Sequence, residues 1–156
     1  MNARRFNVYV SVNAIAPGRR SRTKEAIKAV RHAFLEADRD GQQLLATIST
    51  RDDLPPPSYV LHSSPNRVHV FWRATGFTVE RIESLQKCRA RGLDADPAAT
   101  PVSQLTRFPG LFNHKYTPPH VVSIEYRDTL RLGCSMVGAN VRSGIQTQLL
   151  VQDEIS

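Results

Sequence analysis

The chain has 156 residues and a net charge of +7 at neutral pH, with 40% apolar and 22% charged residues. That length suits one compact domain with its own core. The composition excludes a disordered chain, and no apolar run reaches the ~20 residues that a membrane crossing needs. A pI of about 10 points to an anionic partner, of which nucleic acid is the commonest.

Cys88 and Cys134 lie far apart and form no Cys-x-x-Cys pair, which argues against a zinc ribbon and a disulfide framework. The start, Met1-Asn2-Ala3-Arg4-Arg5-Phe6, has no signal-peptide apolar region, so a cytoplasmic location is expected.

Asn7 to Val12 alternates polar with β-branched or aromatic residues and predicts a strand. A basic loop follows, containing Arg19, Arg20, Arg22 and Lys24. Thr23 is placed to cap a short helix over Glu25 to Val30. Arg31 to Ala37 reads as a core strand that ends in Glu36-Ala37-Asp38. Side chains two apart on a strand share a face, so the two acids project together at its edge. Such a pair suits a hard divalent cation. Glu36, Asp38, Asp40 and Gly41 also match the opening positions of a calcium-binding EF-hand loop. The match fails where a bidentate Glu is required, because Thr47 stands there. Asp40-Gly41 equally makes an ordinary turn.

A helix is expected over Gln42 to Thr50, stopped by Pro55-Pro56-Pro57. Ser58 to His62 and Arg67 to Arg73 read as a hairpin turning at Ser63-Ser64-Pro65-Asn66. On its second strand Arg67, His69 and Phe71 face one way, and Val68, Val70 and Trp72 the other. Asn66, Arg67 and His69 are suited to phosphate oxygens. Thr78 begins a helix that ends near Gly92. Asp94 to Tyr116 reads as polar loop. Asp96 before Pro97 is either a helix cap or a third metal carboxylate. Arg107, Asn113, His114 and Lys115 place cations and amides in a Pro-Gly loop, a reasonable phosphate or sugar contact. Val121 to Tyr126 is a last clear strand. Residues 1–127 read as one domain and 128–156 as a C-terminal extension, either a further helix and strand or a loosely attached tail. The mixed order with a hairpin predicts an α+β fold with a largely antiparallel sheet.

In this order the chain shows Arg22-x-Lys24, Phe34-Leu35-Glu36-Ala37-Asp38, Pro57-Ser58-Tyr59-Val60, Ser64 through Arg73, Asp96-Pro97-Ala98-Ala99, and Arg107 through Tyr116. The ordered set resembles the plasmid RepB-like DNA primases of the archaeo-eukaryotic primase superfamily, from about Asn7 to Tyr126. The resemblance implies an RRM-like sheet with a smaller α/β unit. It implies a nucleotidyltransferase that makes primers on single-stranded DNA from nucleoside triphosphates by two-metal phosphoryl transfer. Carried over by position, Glu36, Asp38 and Asp96 would hold magnesium or manganese. His69, Arg107, Asn113 and Lys115 would contact the nucleotide. The surplus basic residues Arg19, Arg20, Arg22 and Lys24 would hold the template. A replicative helicase or replication protein is a further implied partner, and no membrane is implied.

Glu36 departs from the family's usual Asp, and its extra methylene carries the carboxylate about 1.5 Å farther. A degenerate, non-catalytic nucleic-acid-binding module on the same fold is therefore the alternative. A replication-initiator endonuclease ranks last, because no His-x-His occurs anywhere.

Overall fold

Strand alternation organises the structure, a computed structural model that describes residues 6–127 and 131–133. The first alternating segment forms β1 (Tyr9–Ser11), and β2 (Ala14–Ile15) follows after a break at Val12-Asn13. The buried Asn13 side chain makes the break useful. Its amide donates to the Val102 carbonyl, and its oxygen accepts from the N–H groups of Arg31 and His32.

The helix expected over Glu25 to Val30 does not form. Thr23 makes no side-chain cap, a single 3-10 turn covers Lys24–Ala26, and the chain continues as β3 (Ile27–Ala29). A short uncapped segment gains little as helix. Here β2 offers backbone partners instead, and β3 pairs with it antiparallel.

β4 (His32–Ala37) and α1 (Gly41–Ser49) follow as predicted. The hairpin is β5 (Tyr59–Ser64) and β6 (Arg67–Thr75), with Asn66 in the left-handed region at φ 59°. Thr78 caps α2 (Val79–Gly92) by accepting from the Arg81 N–H. The stretch read as loop holds a 3-10 turn at Pro97–Ala99, then β7 (Leu105–Arg107) and β8 (Phe112–Asn113). The last predicted strand is two: β9 (His120–Val121) pairs with β8, and β10 (Ser123–Tyr126) pairs with β5. β11 (Arg131–Gly133) runs parallel to the end of β6. The rest of the expected C-terminal extension lies outside the described residues.

β6 is the hub of the central sheet, antiparallel to β4 on one side and to β5 on the other. Alternation divides the sheet into two faces. Leu35, Val68, Val70 and Trp72 pack under α1 and α2 with Leu44, Ile48 and Ile82. Phe34, Leu61 and Phe71 turn to the opposite face with Val12, Ala99 and Val122, where β1 and β7 form a covering ribbon. There Tyr59 stacks on Phe71 at 4.7 Å, and Phe71 meets Phe34 at 5.9 Å.

Two left-handed residues lock the end of β4 to the start of β6. Asp40 has φ 52°, and the adjacent Gly41 N–H donates to the Asn66 carbonyl at 3.0 Å. A Cβ on Gly41 would stand 2.9 Å from a Val68 methyl and 3.0 Å from that same carbonyl. Gly41→Ala is therefore expected to destabilise the protein by about 1 kcal/mol, overpacking outweighing the helix preference for Ala. Chemical denaturation checks this, and a stability gain would contradict the tight approach.

Candidate active site

The register of β4 against β6 creates the site. Phe34 pairs with Phe71, and two residues on Glu36 pairs with His69. The same sheet face thus changes from apolar to ionisable within one strand step. His69 Nε2 lies 3.2 Å from Glu36 Oε1, and its Nδ1 lies 2.8 Å from the Thr106 hydroxyl. Gln104 Nε2 reaches Glu36 Oε2 at 3.4 Å. At the strand end, Asp38 pairs with Arg67 at 3.1 Å. His69 is buried, Glu36 mostly so, and Asp38 is half exposed. Burial pushes the Glu36 carboxyl up, but hydrogen bonding and charge attraction from His69, with the Gln104 amide, hold it below the ordinary 4.5.

Glu36, Asp38, Arg67, His69 and Gln104 line a cavity of about 330 Å³, and Thr106 lies behind its wall. Its cations are Arg22, Arg67, Arg107 and Lys115, with Glu36 and Asp38 on the same wall system as His69. Arg107 lies over the Tyr9 ring at 4.9 Å and donates to Asn7 Oδ1 at 2.8 Å. Asn113 also lines the cavity, but its amide is engaged: Nδ2 donates to the Ser63 carbonyl, and Oδ1 accepts from the Lys115 N–H. It shapes the loop that presents Lys115.

Of the residues proposed from sequence, Glu36, Asp38, His69, Arg107, Asn113 and Lys115 come together. Asp96 does not join them. Its N–H donates to the Glu36 carbonyl, but its side chain accepts from the Ala98 N–H and caps the 3-10 turn. The basic loop also divides. Arg22 enters the cavity, whereas the Lys24 ammonium is held by Glu83 at 2.9 Å. Arg19 and Arg20 are exposed on the loop outside the cavity wall. Tyr9 and Thr106 were not singled out from sequence. The alternation of β1 carried a signal for Tyr9, but nothing local marked Thr106.

The donor set fits one hard cation, not a preformed cage. Among the described residues no three His, Cys, Asp or Glu converge to hold a metal ion. Magnesium, however, is commonly held by one or two carboxylates with substrate phosphates completing its shell. Glu36 and Asp38 supply such a pair.

A family model, the RepB DNA-primase N-terminal domain, matches residues 1–129. The chain belongs to this family. Among solved structures, the RepB primase domain is similar to the AEP domain of the cyanophage S-2L primase-polymerase, with a TM-score of 0.64 at 21% identity. That match covers 77% of this chain and 62% of the phage chain. It is also similar to the primase RepB′, with a TM-score of 0.52 at 22% identity over 61% of this chain and 33% of the other. The RepB′ catalytic domain in complex with initiator DNA gives a TM-score of 0.49 at 22% identity, over 64% and 50% of the two chains. This chain thus spans less than two thirds of each of those chains. No curated protein matches it. The mixed α+β architecture with antiparallel sheets is that of AEP primase-polymerase domains. No helix among the described residues is long and apolar enough to cross a membrane.

Proposed function

We propose that this RepB primase domain binds a nucleoside triphosphate in the cavity and adds nucleotides to primers on single-stranded DNA. The observation that carries the reading is that Glu36 and Asp38 line one cavity together with Arg22, Arg67, Arg107, Lys115 and His69. A triphosphate needs several cationic donors and one cation held by carboxylates. Membership of the RepB primase family supports primer synthesis as the reaction.

Arg107 and Lys115 neutralise the phosphate chain, and Arg107 is held rigid by Asn7 and the Tyr9 ring. Arg67, now paired with Asp38, would be free to meet a phosphate oxygen if Asp38 held a cation. His69 lines the same space, with Nε2 beside Glu36. Arg22 belongs with these phosphate donors and not with the template contacts, while Arg19 and Arg20 remain for the template backbone. Glu36 and Asp38 would hold magnesium or manganese, and the bound ion would supply polarisation of the phosphoryl group and neutralisation of developing charge. The basic net charge supports a salt-sensitive DNA contact.

Template-directed extension with labelled triphosphates and manganese tests the proposal. Product that depends on template and metal is expected. Absence of both product and triphosphate binding would overturn it. A second reading, a non-catalytic binding module, is favoured by one observation: the Glu36 carboxylate is already paired with His69. That reading predicts triphosphate binding without synthesis, with synthesis gained in Glu36→Asp.

Asp96→Ala separates the cap from a metal role. Loss of the cap should cost about 0.5–2 kcal/mol of stability, with synthesis at permissive temperature within about threefold of wild type. A loss of synthesis of about 100-fold or more would instead return Asp96 to the site.

A further inference from the structure

The His69 ring has two polar partners from two different structural units. Nε2 faces Glu36 Oε1 on β4 at 3.2 Å, and Nδ1 faces Thr106 Oγ1 on β7 at 2.8 Å. Phe34 and Phe71 lie beside the ring, each at 6.3 Å between centroids. The aromatic neighbours restrict its position, and the two polar partners set its rotation. Nε2 faces a carboxylate, and Nδ1 faces a hydroxyl that can donate or accept.

Thr106 is buried and is absent from the cavity wall, so it meets a ligand only through the histidine. A hydroxyl beside histidine and glutamate suggests a nucleophile at first sight. The geometry argues against that, because Thr106 sits behind the ring and is screened from the cavity. β7 holds it there by pairing Thr106 with Val10 of β1, so the covering ribbon, not the central sheet, sets its place.

We infer that Thr106 is a positioning residue that fixes the orientation of the His69 ring, holding its Nδ1 edge to β7 so that its Nε2 edge stays beside Glu36 at the cavity. The inference rests on the triphosphate reading of the cavity. It adds that the ribbon β1–β7 is part of the site's architecture and not merely its cover. Without the hydroxyl, Nδ1 is a buried group with no partner, which costs enough to let the ring rotate.

The test is NMR of the histidine-labelled 156-residue chain without substrate, reading the contacts of the His69 ring with the Phe34 and Phe71 rings. The His69 signal is assigned by its loss in His69→Gln. The wild type and Thr106→Ser are expected to keep those contacts, and Thr106→Val to lose them. In primer synthesis Thr106→Val should raise the triphosphate KM about tenfold with a smaller change in kcat, and Thr106→Ser should stay within about twofold. Unchanged ring contacts in Thr106→Val, or a Ser variant as impaired as Val, would overturn the inference. The NMR result stands whether or not the protein polymerises, so failure of synthesis in the wild type counts against the proposed function alone.

Discussion

Glu36→Gln and Asp38→Asn are each expected to lower template-directed synthesis by about 100-fold or more, the scale of removing one preorganised charge from a reacting centre. Both substitutions keep shape while removing charge. In Glu36→Gln the new amide oxygen can still accept from His69 and stay beside Gln104, so the fold should survive. Asp38→Asn loses the attraction to Arg67, a half-exposed pair that contributes little to stability. The losses should therefore appear as activity and not as unfolding. Steady-state synthesis rates beside thermal melts check both halves. Activity within about threefold of wild type in either variant would remove the carboxylate pair from the chemistry.

Glu36 also carries a pH signature. Its carboxyl is held below the ordinary 4.5 in the folded protein. A depressed carboxylate pKa adds stability that is present above its unfolded value and lost as pH falls through the folded one. The melting gap between wild type and Glu36→Gln should accordingly be open at neutral pH and close in acid, as pH falls from the ordinary 4.5 through the lower folded value.

Trp72→Ala is expected to have the largest effect on stability, about 3–5 kcal/mol, or a drop of roughly 6–20 °C in Tm. Trp72 is 1% exposed, its indole N–H donates to the Pro55 carbonyl at 2.9 Å, and the Arg89 guanidinium lies 5.2 Å from its ring centre. Burial pushes the Arg89 pKa down to about 10, so its charge already sits in an unfavourable place. Truncation leaves a cavity, an unpaired carbonyl and a buried cation without its aromatic face. Trp72 faces the helices, on the opposite sheet face from Glu36 and His69. Below its melting point the variant should therefore keep synthesis within a few-fold of wild type. Trp72→Phe, which keeps a ring, should cost less than half as much. Calorimetry with parallel activity measurements checks the separation.

Alternation made the central sheet legible in the sequence. Arg67, His69 and Phe71 opposite Val68, Val70 and Trp72 is the division the structure shows, and the paired acids at the end of β4 followed from the same rule. Helix α2 was legible from its cap at Thr78 and its stop near Gly92. Long-range pairing was not. β7 is three residues long and exists because β1 pairs with it, so Thr106 had no local mark. The segment after Thr23 became a strand because β2 lay alongside. Arg22 and Lys24 stand two apart in one basic loop, yet one reaches the cavity and the other a glutamate on α2. Asp96 shows the opposite case. Its local pattern, Asp before Pro, marked a cap, and the structure uses the side chain as one.

On the proposed function, Glu36 and Asp38 would hold a divalent cation together with a triphosphate, and not as a cage formed in advance. Electron paramagnetic resonance of manganese, with and without a nucleoside triphosphate, separates the two. Weak binding to the protein alone is expected, with strong protein-bound manganese once triphosphate is present and loss of that signal in Glu36→Gln and Asp38→Asn. Tight manganese binding without triphosphate, or a triphosphate-dependent signal unchanged in both variants, would overturn the assignment.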